Sequence, residues 1–140
     1  MSNMLKEAKM LEFSEMGDER GRLVVVEGMQ DIPFDITRVF YIYGSDREVI
    51  RGRHANRRSE FVLINVAGTS KVRIHYPNGN ECIFSLIKPH TGIYIPPMVW
   101  KDMYDFSEDS VLLVLASEHY DSSEYIRDFD EYVAETEQNK

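Results

Sequence analysis

The sequence has one cysteine, no long apolar run and fewer basic than acidic residues. With Cys82 alone, no intramolecular disulfide can form, so a reducing compartment is expected, with the cytoplasm as the default. No apolar run approaches the roughly 20 residues that span a bilayer. The polar start MSNMLKEAKM lacks the apolar core of a secretory signal. These absences argue against membrane insertion and against secretion.

The charge balance argues against nucleic acid as a partner. The chain has 16 Lys and Arg against 24 Asp and Glu, a net charge of -8, whereas proteins that bind phosphate backbones present basic surfaces. The segment RGRHANRR, residues 51–58, nevertheless holds four arginines in eight residues. It is either a solvated turn or a pocket for a small anion such as a diphosphate, which guanidinium groups bind in a bidentate manner. A local cluster on an acidic protein favours a small ligand over a polymer.

The pattern of short apolar runs predicts an all-β fold. A chain of 140 residues fits one domain, which we place at 1–140. Turn residues separate runs rich in β-branched and aromatic residues, which is typical of a sandwich or barrel. These runs cover residues 22–27, 37–44, 60–66, 70–76, 81–87, 92–95 and 110–117. The pair Asn78-Gly79 predicts a hairpin turn. The barrel is expected over about 20–118.

Two further patterns concern the outside of the barrel. The runs VLLVLA and FVLINV are apolar on both alternating faces, so a partner subunit or an outer strand should cover the second face; we expect a homodimer. In DSSEYIRDFDEYVAETEQ the apolar residues recur at helical spacing. Asp121 and Glu124 have the spacing of a capping box. A C-terminal α-helix is therefore predicted over about 121–136.

The segment around residue 54 imitates a metal site but lacks two of its ligands. A metal-binding cupin barrel takes His-x-His and a glutamate from one motif and a further histidine from a second, because residues two apart on a strand share a face. Here His54 and Glu60 are present, but Asn56 and Lys101 stand where histidines are expected. An amide is a poor ligand for a transition metal, and a protonated lysine is none. We therefore predict that the protein holds no metal.

The same segment supports proton-transfer chemistry. Tyr41 and Tyr43 share one face of the strand RVFYIY. If that face lines the barrel, the His54 imidazole, tyrosine hydroxyls and arginines converge on one cavity. That set suits proton transfer beside a carbonyl of a phosphorylated or nucleotide-linked ligand. The alternative is that His54 is a structural histidine.

Four longer segments carry a resemblance to a known family: DIPFDITRVFYIY, RGRHANR, GIYIPPMVWKDMYDFSEDSVLLVLAS and HYDSSEYIRDFDEY. In these segments the chain resembles the cupin-type nucleoside-diphosphate-sugar 3,4-ketoisomerases (FdtA and WxcM-like). The resemblance implies an RmlC-like cupin barrel, or jelly roll, with a C-terminal helix. It also implies conversion of dTDP-4-keto-6-deoxyglucose to a dTDP-3-keto-6-deoxyhexose without metal or organic cofactor. Such products feed aminotransferases that make deoxyamino sugars for surface polysaccharides.

The resemblance also implies roles for individual residues. His54 matches the first histidine of the family's RGxHAHK stretch and is the expected base. Tyr41, in the family's RVYYI strand, would relay a proton between two oxygens, and Asn56 completes the predicted catalytic set. The predicted substrate-binding residues are Arg51, Arg57, Tyr43, Glu60, Trp100 and Lys101.

Two positions depart from the family pattern. Asn56 replaces the second histidine of RGxHAHK, and Lys101 replaces a histidine after the tryptophan. The amide of Asn56 can bind a sugar oxygen but cannot shuttle protons. Lys101 is either a substitute acid or carbonyl polariser in a buried setting, or a surface charge. Two alternatives therefore stay open: a related epimerase or isomerase, and a non-catalytic cupin that binds a nucleotide sugar.

Overall fold

Two five-stranded antiparallel sheets form the body of the protein in the computed structural model, which describes residues 7–138. The strands are β1 (Lys9–Glu12), β2 (Glu15–Asp18), β3 (Gly21–Val24), β4 (Arg38–Tyr43), β5 (Arg51–Asn56), β6 (Phe61–Ala67), β7 (Ser70–His75), β8 (Glu81–Leu86), β9 (Thr91–Ile95), β10 (Trp100–Tyr104), β11 (Val111–Ala116) and β12 (Tyr125–Ile126). The first sheet has the order β1-β9-β6-β11-β4, and the second has the order β12-β5-β10-β7-β8. Strands β2 and β3 pair only with each other. Residues 1–6 and 139–140, both within the predicted domain 1–140, lie outside the described residues.

Apolar side chains on both faces of β6 and β11 explain how the first sheet is packed. Phe61 and Leu63 point between the two sheets, where they join the main core with residues of β7 to β11. Val62 and Ile64 point to the other side and pack against Phe13 and residues of the 32–34 segment. The second face of β6 is thus covered by the N-terminal part of the same chain.

The predicted hairpin is confirmed, whereas the predicted helix begins later than expected. Gly79 has a φ of +91° in the turn that joins β7 to β8. The C-terminal helix α1 spans Phe129–Gln138 and not residues 121–136. Asp121 does act as a cap, but of the single 3₁₀ turn Ser122–Glu124, and β12 then pairs with β5. Because this pairing takes up the backbone of β12, a continuous helix from 121 is excluded, and Asp128 caps α1 instead.

Helix α1 packs on the outer side of the second sheet. Phe129 and Tyr132 contact Trp100, with ring centroids 5.2 and 5.6 Å away. The hydroxyl of Tyr132 donates a hydrogen bond to the carbonyl of Met98. In the part of the chain that the structure describes, no helix has the length and apolar character needed to cross a membrane.

Candidate active site

A cavity of about 140 Å³ lies between β4 of the first sheet and β5 of the second. Its lining residues are Phe40, Ile42, Arg51, Gly52, His54, Phe61, Leu63, Lys101, Met103, Val114 and Tyr125. Most of the wall is apolar, with Arg51, His54, Lys101 and Tyr125 as the residues able to carry charge or a hydroxyl. A few convergent polar groups in an apolar cavity are typical of a small-molecule site. A wider, open concavity at the β2–β3 hairpin is lined only by the hairpin's own residues.

A β-bulge in β5 directs the side chains of Arg51 and His54 into this cavity. In the pairing with β10, Lys101 lies opposite His54 and Asp102 lies opposite Gly52, so Arg53 is the extra residue. Gly52 and Arg53 both have positive φ angles, +86° and +57°. A side chain at Gly52 would also lie 3.0 Å from the carbonyl oxygen of Lys101. Bulges re-aim side chains in this way, and here Arg51, Gly52 and His54 all line the cavity.

The imidazole of His54 is neutral at physiological pH. Burial, followed by the positive charge of Lys101, lowers the pKa of His54 from its ordinary value to about 3, although the backbone of Gly52 and the carboxylate of Glu124 act in the opposite direction. The ring packs on Tyr125, with centroids 4.8 Å apart. A neutral imidazole has one nitrogen lone pair available to accept a proton.

Lys101 is the most unusual group of the cavity. The residue is 3% exposed, and its Nζ donates a hydrogen bond to Asn56 Oδ1 at 3.1 Å. Nζ also lies 4.7 Å from the centre of the Phe61 ring, a cation–π contact. Burial lowers the pKa of Lys101 to about 7, and the negative charge of Glu124 partly offsets this effect. The amine can therefore exist in either protonation state near neutral pH.

Glu124 brings a buried carboxylate to the same network. Its side chain accepts hydrogen bonds from the backbone N–H groups of Arg58 (2.8 Å) and Ser59 (2.9 Å), and from the Ser59 hydroxyl. Burial raises the pKa of the Glu124 carboxyl, but the hydrogen bonds from Ser59 and Arg58 lower it more, so the pKa lies below its usual value. Sequence reasoning assigned Glu124 only a capping role, because its partners lie 65 residues or more away along the chain.

The sequence model of the family described as FdtA: WxcM-like, C-terminal, matches residues 6–137. The chain belongs to this family. This FdtA-family chain is 41% identical over 126 residues to TDP-4-oxo-6-deoxy-alpha-D-glucose-3,4-oxoisomerase of Aneurinibacillus thermoaerophilus, covering 90% of each chain. The resemblance inferred from the motifs is confirmed.

Solved structures of similar proteins agree with this assignment. QdtA, a sugar 3,4-ketoisomerase from Thermoanaerobacterium thermosaccharolyticum solved with TDP, superposes with a TM-score of 0.91 at 44% identity, covering 96% of this chain and 98% of that chain. A variant of QdtA with one histidine replaced by asparagine, solved with TDP-4-keto-6-deoxyglucose, has a TM-score of 0.91 at 43% identity, covering 96% and 97%. The predicted cupin fold with a C-terminal helix is confirmed.

Four of the predicted site residues come together in this FdtA-family fold. His54, Arg51 and Lys101 line the cavity, and Asn56 lies directly behind Lys101 as its hydrogen-bond acceptor. Since Lys101 is buried, the alternative that it is a surface charge is wrong.

Tyr41 and Tyr43 lie on the other side of the sheet. The two side chains are 62% and 71% exposed, whereas Phe40 and Ile42 of the same strand face the cavity. Successive side chains of a strand point to opposite faces, so only one of these two pairs can line the cavity. The prediction that the tyrosine face lines the barrel is therefore wrong. The inward position of the family's RVYYI strand is Phe40 here, which has no hydroxyl.

Three other predicted substrate-binding residues also lie away from the cavity. Trp100 is 6% exposed and packs under α1, because its neighbour on the strand, Lys101, takes the inward direction. Glu60 accepts a hydrogen bond from the Tyr94 hydroxyl at 2.6 Å on the outer side of the first sheet. Arg57 pairs with carboxylates of α1. Among residues 7–138, no three His, Cys, Asp or Glu side chains are grouped so that they could hold a metal ion.

Arg38 is a cation near the cavity that sequence reasoning missed. Its guanidinium carbon lies 5.2 Å from the ring centre of Phe40 and 5.7 Å from that of Tyr120. Its Nε and one terminal nitrogen are buried without a hydrogen-bond partner. Buried donor atoms without partners are costly, and an anion would satisfy them. The sequence did carry a signal for this residue: Arg38 lies two residues before Phe40 on β4 and therefore shares its face.

Proposed function

We propose that this chain is a TDP-sugar 3,4-ketoisomerase that converts TDP-4-keto-6-deoxyglucose to a TDP-3-keto-6-deoxyhexose. The main support is similarity at 41–44% identity, over 90% or more of the chain, to proteins with this kind of activity, combined with a cavity that holds His54 opposite Lys101. Deoxyamino-sugar biosynthesis for surface polysaccharides is the proposed context. The cytoplasm, a reducing compartment, is the proposed location.

His54 is the base in this proposal. The reaction removes the proton from C3, next to the C4 carbonyl, forms an enediol and returns a proton to C4. His54 faces the cavity and is neutral, so it can accept the C3 proton. With a pKa of about 3, the imidazole by itself is a weak base. Since the substrate carries a negative diphosphate, its binding raises the pKa of His54 and strengthens the base.

The diphosphate is bound by arginines around the cavity. None of the ion pairs found among residues 7–138 involves Arg51, Arg38 or Arg127, although the chain has a net charge of -8. Arg51 lines the cavity, Arg127 lies over the Tyr125 ring at 4.6 Å, and Arg38 contacts Phe40. The cavity is smaller than the roughly 300–1,000 Å³ usual for a drug-sized ligand. It therefore takes the sugar ring, and the nucleotide lies outside, along these arginines.

The working form is a homodimer in this proposal. Strand β4 is at the edge of the first sheet, and Val39, Tyr41 and Tyr43 on its outer face are all more than half exposed. The β2–β3 hairpin, with the exposed side chains of Met16 and Leu23, pairs with no other strand in the described chain. Exposed apolar strips and open sheet edges are typical of protein–protein contacts. A second copy of the chain is the proposed cover.

The proposal is tested by incubation with TDP-4-keto-6-deoxyglucose in deuterated water. The wild-type protein should form a 3-keto product, and deuterium should enter C4 to the extent that the proton on His54 exchanges with solvent; NMR observes both. His54→Asn should lose exchange and product by roughly 10²–10⁴-fold, because an amide has no usable proton-transfer pKa. Its affinity for TDP should remain. A wild-type protein that binds TDP but forms no 3-keto product would be a non-catalytic binder, and full activity in His54→Asn would remove His54 from the mechanism.

A further inference from the structure

The ketoisomerase reaction moves two kinds of proton. One proton leaves C3 and one returns to C4, and both are bonded to carbon. In addition, the hydroxyl on C3 loses its hydrogen and the oxygen on C4 gains one. His54 transfers the carbon-bound proton. The oxygens need a second group in the cavity that both gives and accepts a proton.

The residue predicted for this oxygen relay is not in the cavity. Tyr41 lies on the outer face of β4, and the inward side chain beside it, Phe40, has no hydroxyl. A guanidinium has N–H donors and no acceptor, so Arg51 cannot take the proton of a sugar hydroxyl. Lys101 and Tyr125 are the two remaining candidates among the residues that line the cavity.

The position of Lys101 fits the relay. Lys101 is the direct partner of His54 in the β5–β10 pairing, so the two side chains reach the same cavity from adjacent strands. One N–H of Lys101 Nζ is used by Asn56 Oδ1 at 3.1 Å. An ammonium group has three donors, so two stay available for sugar oxygens.

We infer that Lys101 is the second proton-transfer residue of this site and serves the two sugar oxygens while His54 serves the two carbons, an inference that rests on the proposed function. In the first half, His54 takes the proton of C3, the C–H electron pair forms the C3=C4 bond, and the Lys101 ammonium protonates the C4 oxygen. In the second half, the neutral Lys101 amine takes the proton of the C3 hydroxyl and His54 returns its proton to C4. C3 is oxidised and C4 reduced, and both side chains regain their starting states.

Asn56 positions Lys101, and Glu124 acts on it through its charge. Asn56 holds Nζ through its Oδ1, and the charge of Glu124 favours the protonated amine. Asn56 and Lys101 are also the two departures from the family pattern, and they contact each other. The two positions where the family pattern has histidines therefore hold one hydrogen-bonded pair in this chain, in which an amide acceptor suits an ammonium donor.

The surroundings of Lys101 allow both protonation states. Arg51 and His54 of β5 and Tyr125 of β12 line the same cavity, and Glu124 is the acidic group that acts on the amine. The partner on the other side, Ile74 of β7, is apolar, and Asp102 faces His75 and Arg73 on the outer side of the sheet. Burial without a direct counterion gives Lys101 a pKa of about 7. An amine with this pKa can both give and take a proton at neutral pH.

Kinetics of Lys101 variants test the inference. Lys101→Met should lower kcat by roughly 10²–10⁴-fold while TDP affinity stays close to that of the wild type. Lys71→Met, which removes an exposed lysine paired with Asp105, is the matched control and should keep its kcat. Asn56→His alone should also lower kcat, and Asn56→His with Lys101→His should be more active than either single variant, because the pair acts as one unit.

The pH profile separates catalysis from a structural role. In the wild type, kcat/KM should fall as pH rises through about 7, where the free enzyme loses the Lys101 proton. In Lys101→Arg that fall should disappear and kcat should stay low, because guanidinium keeps its proton. Three outcomes would overturn this inference and leave the proposed function intact. They are an unchanged kcat in Lys101→Met, a kcat/KM that still falls as pH rises through about 7 in Lys101→Arg, and a loss of kcat in Tyr125→Phe. A wild-type protein that forms no 3-keto product would overturn the proposed function with it.

Discussion

Arg57 and Glu135 form a two-point ion pair between the end of β5 and helix α1. Arg57 Nε donates to Glu135 Oε1 and Nη2 donates to Oε2, both at 2.9 Å. A third hydrogen bond, from Nη1 to the carbonyl of Ser123, is 2.7 Å long. All three nitrogens of the guanidinium therefore bind the C-terminal segment. Of the arginines in the cluster 51–58, Arg51 is the one that reaches the cavity.

The two arginines should therefore respond differently to substitution. Arg51→Gln should weaken TDP binding by roughly 10- to 100-fold, because a charge-assisted contact to the diphosphate is lost. Arg38→Gln should do the same. Arg57→Gln should leave TDP affinity unchanged and lower the free energy of unfolding by about 0.5–1 kcal/mol. Titration calorimetry with TDP and urea unfolding give the two quantities. Loss of TDP binding in Arg57→Gln would show that the ion pair opens for the ligand.

The buried amine of Lys101 should lower the free energy of unfolding at neutral pH. The pKa of Lys101 is about 7 in the folded protein against 10.5 for the ordinary side chain, so the unfolded chain holds more protons between these values. The free energy of unfolding contributed by this group therefore rises with pH from about 7 to 10.5, and the penalty is complete below 7. Lys101→Met should be more stable than the wild type at pH 6, by roughly 1–4 kcal/mol.

That difference in stability should shrink as pH rises towards 10. Urea unfolding of both proteins at pH 6, 8 and 9.5 measures it, with Lys71→Met as the control for loss of an exposed lysine. A difference that is the same at each pH would mean that the Lys101 amine titrates alike in the folded and unfolded chains.

The exposed strip on β4 should be the centre of the homodimer. Tyr41→Glu places a charge at a position that is 62% exposed in the single chain, and burying it against a second copy would be unfavourable. Light scattering should give a dimer mass for the wild type and a monomer mass for Tyr41→Glu. Ile83→Glu, on the opposite edge strand β8, is 54% exposed and should remain dimeric. A monomeric wild type at micromolar concentration would contradict the prediction.

The purified protein should contain no stoichiometric zinc, iron or manganese. Glu60 points to the outer side of the sheet, where it binds Tyr94, and the two missing histidines are replaced by Asn56 and the buried Lys101. His54 is thus left without a second ligand of the expected set. Elemental analysis of protein prepared without chelator is the measurement. One tightly bound equivalent that depends on His54 would contradict the prediction.

Much of the architecture follows from local sequence. Strand positions come from β-branched and aromatic runs, and the Asn78-Gly79 turn follows from the need for positive φ. The helix boundary was misplaced because Asp121 and Glu124 have capping spacing, yet the backbone of β12 is used by β5. Local spacing cannot reveal that a distant strand competes for the same backbone.

The family, the all-β class and the motif with His54, Asn56 and Lys101 could all be predicted from the sequence. Alternation along β4 predicts that Tyr41 and Tyr43 share a face. Which face lines the cavity follows from the packing of the two sheets, because Phe40 and Ile42 on the other face can line it as well. The tertiary structure also decided the chemistry of Lys101. The lowered pKa of its amine results from burial, and burial depends on strands and a carboxylate that come together only when the sheets close around the cavity.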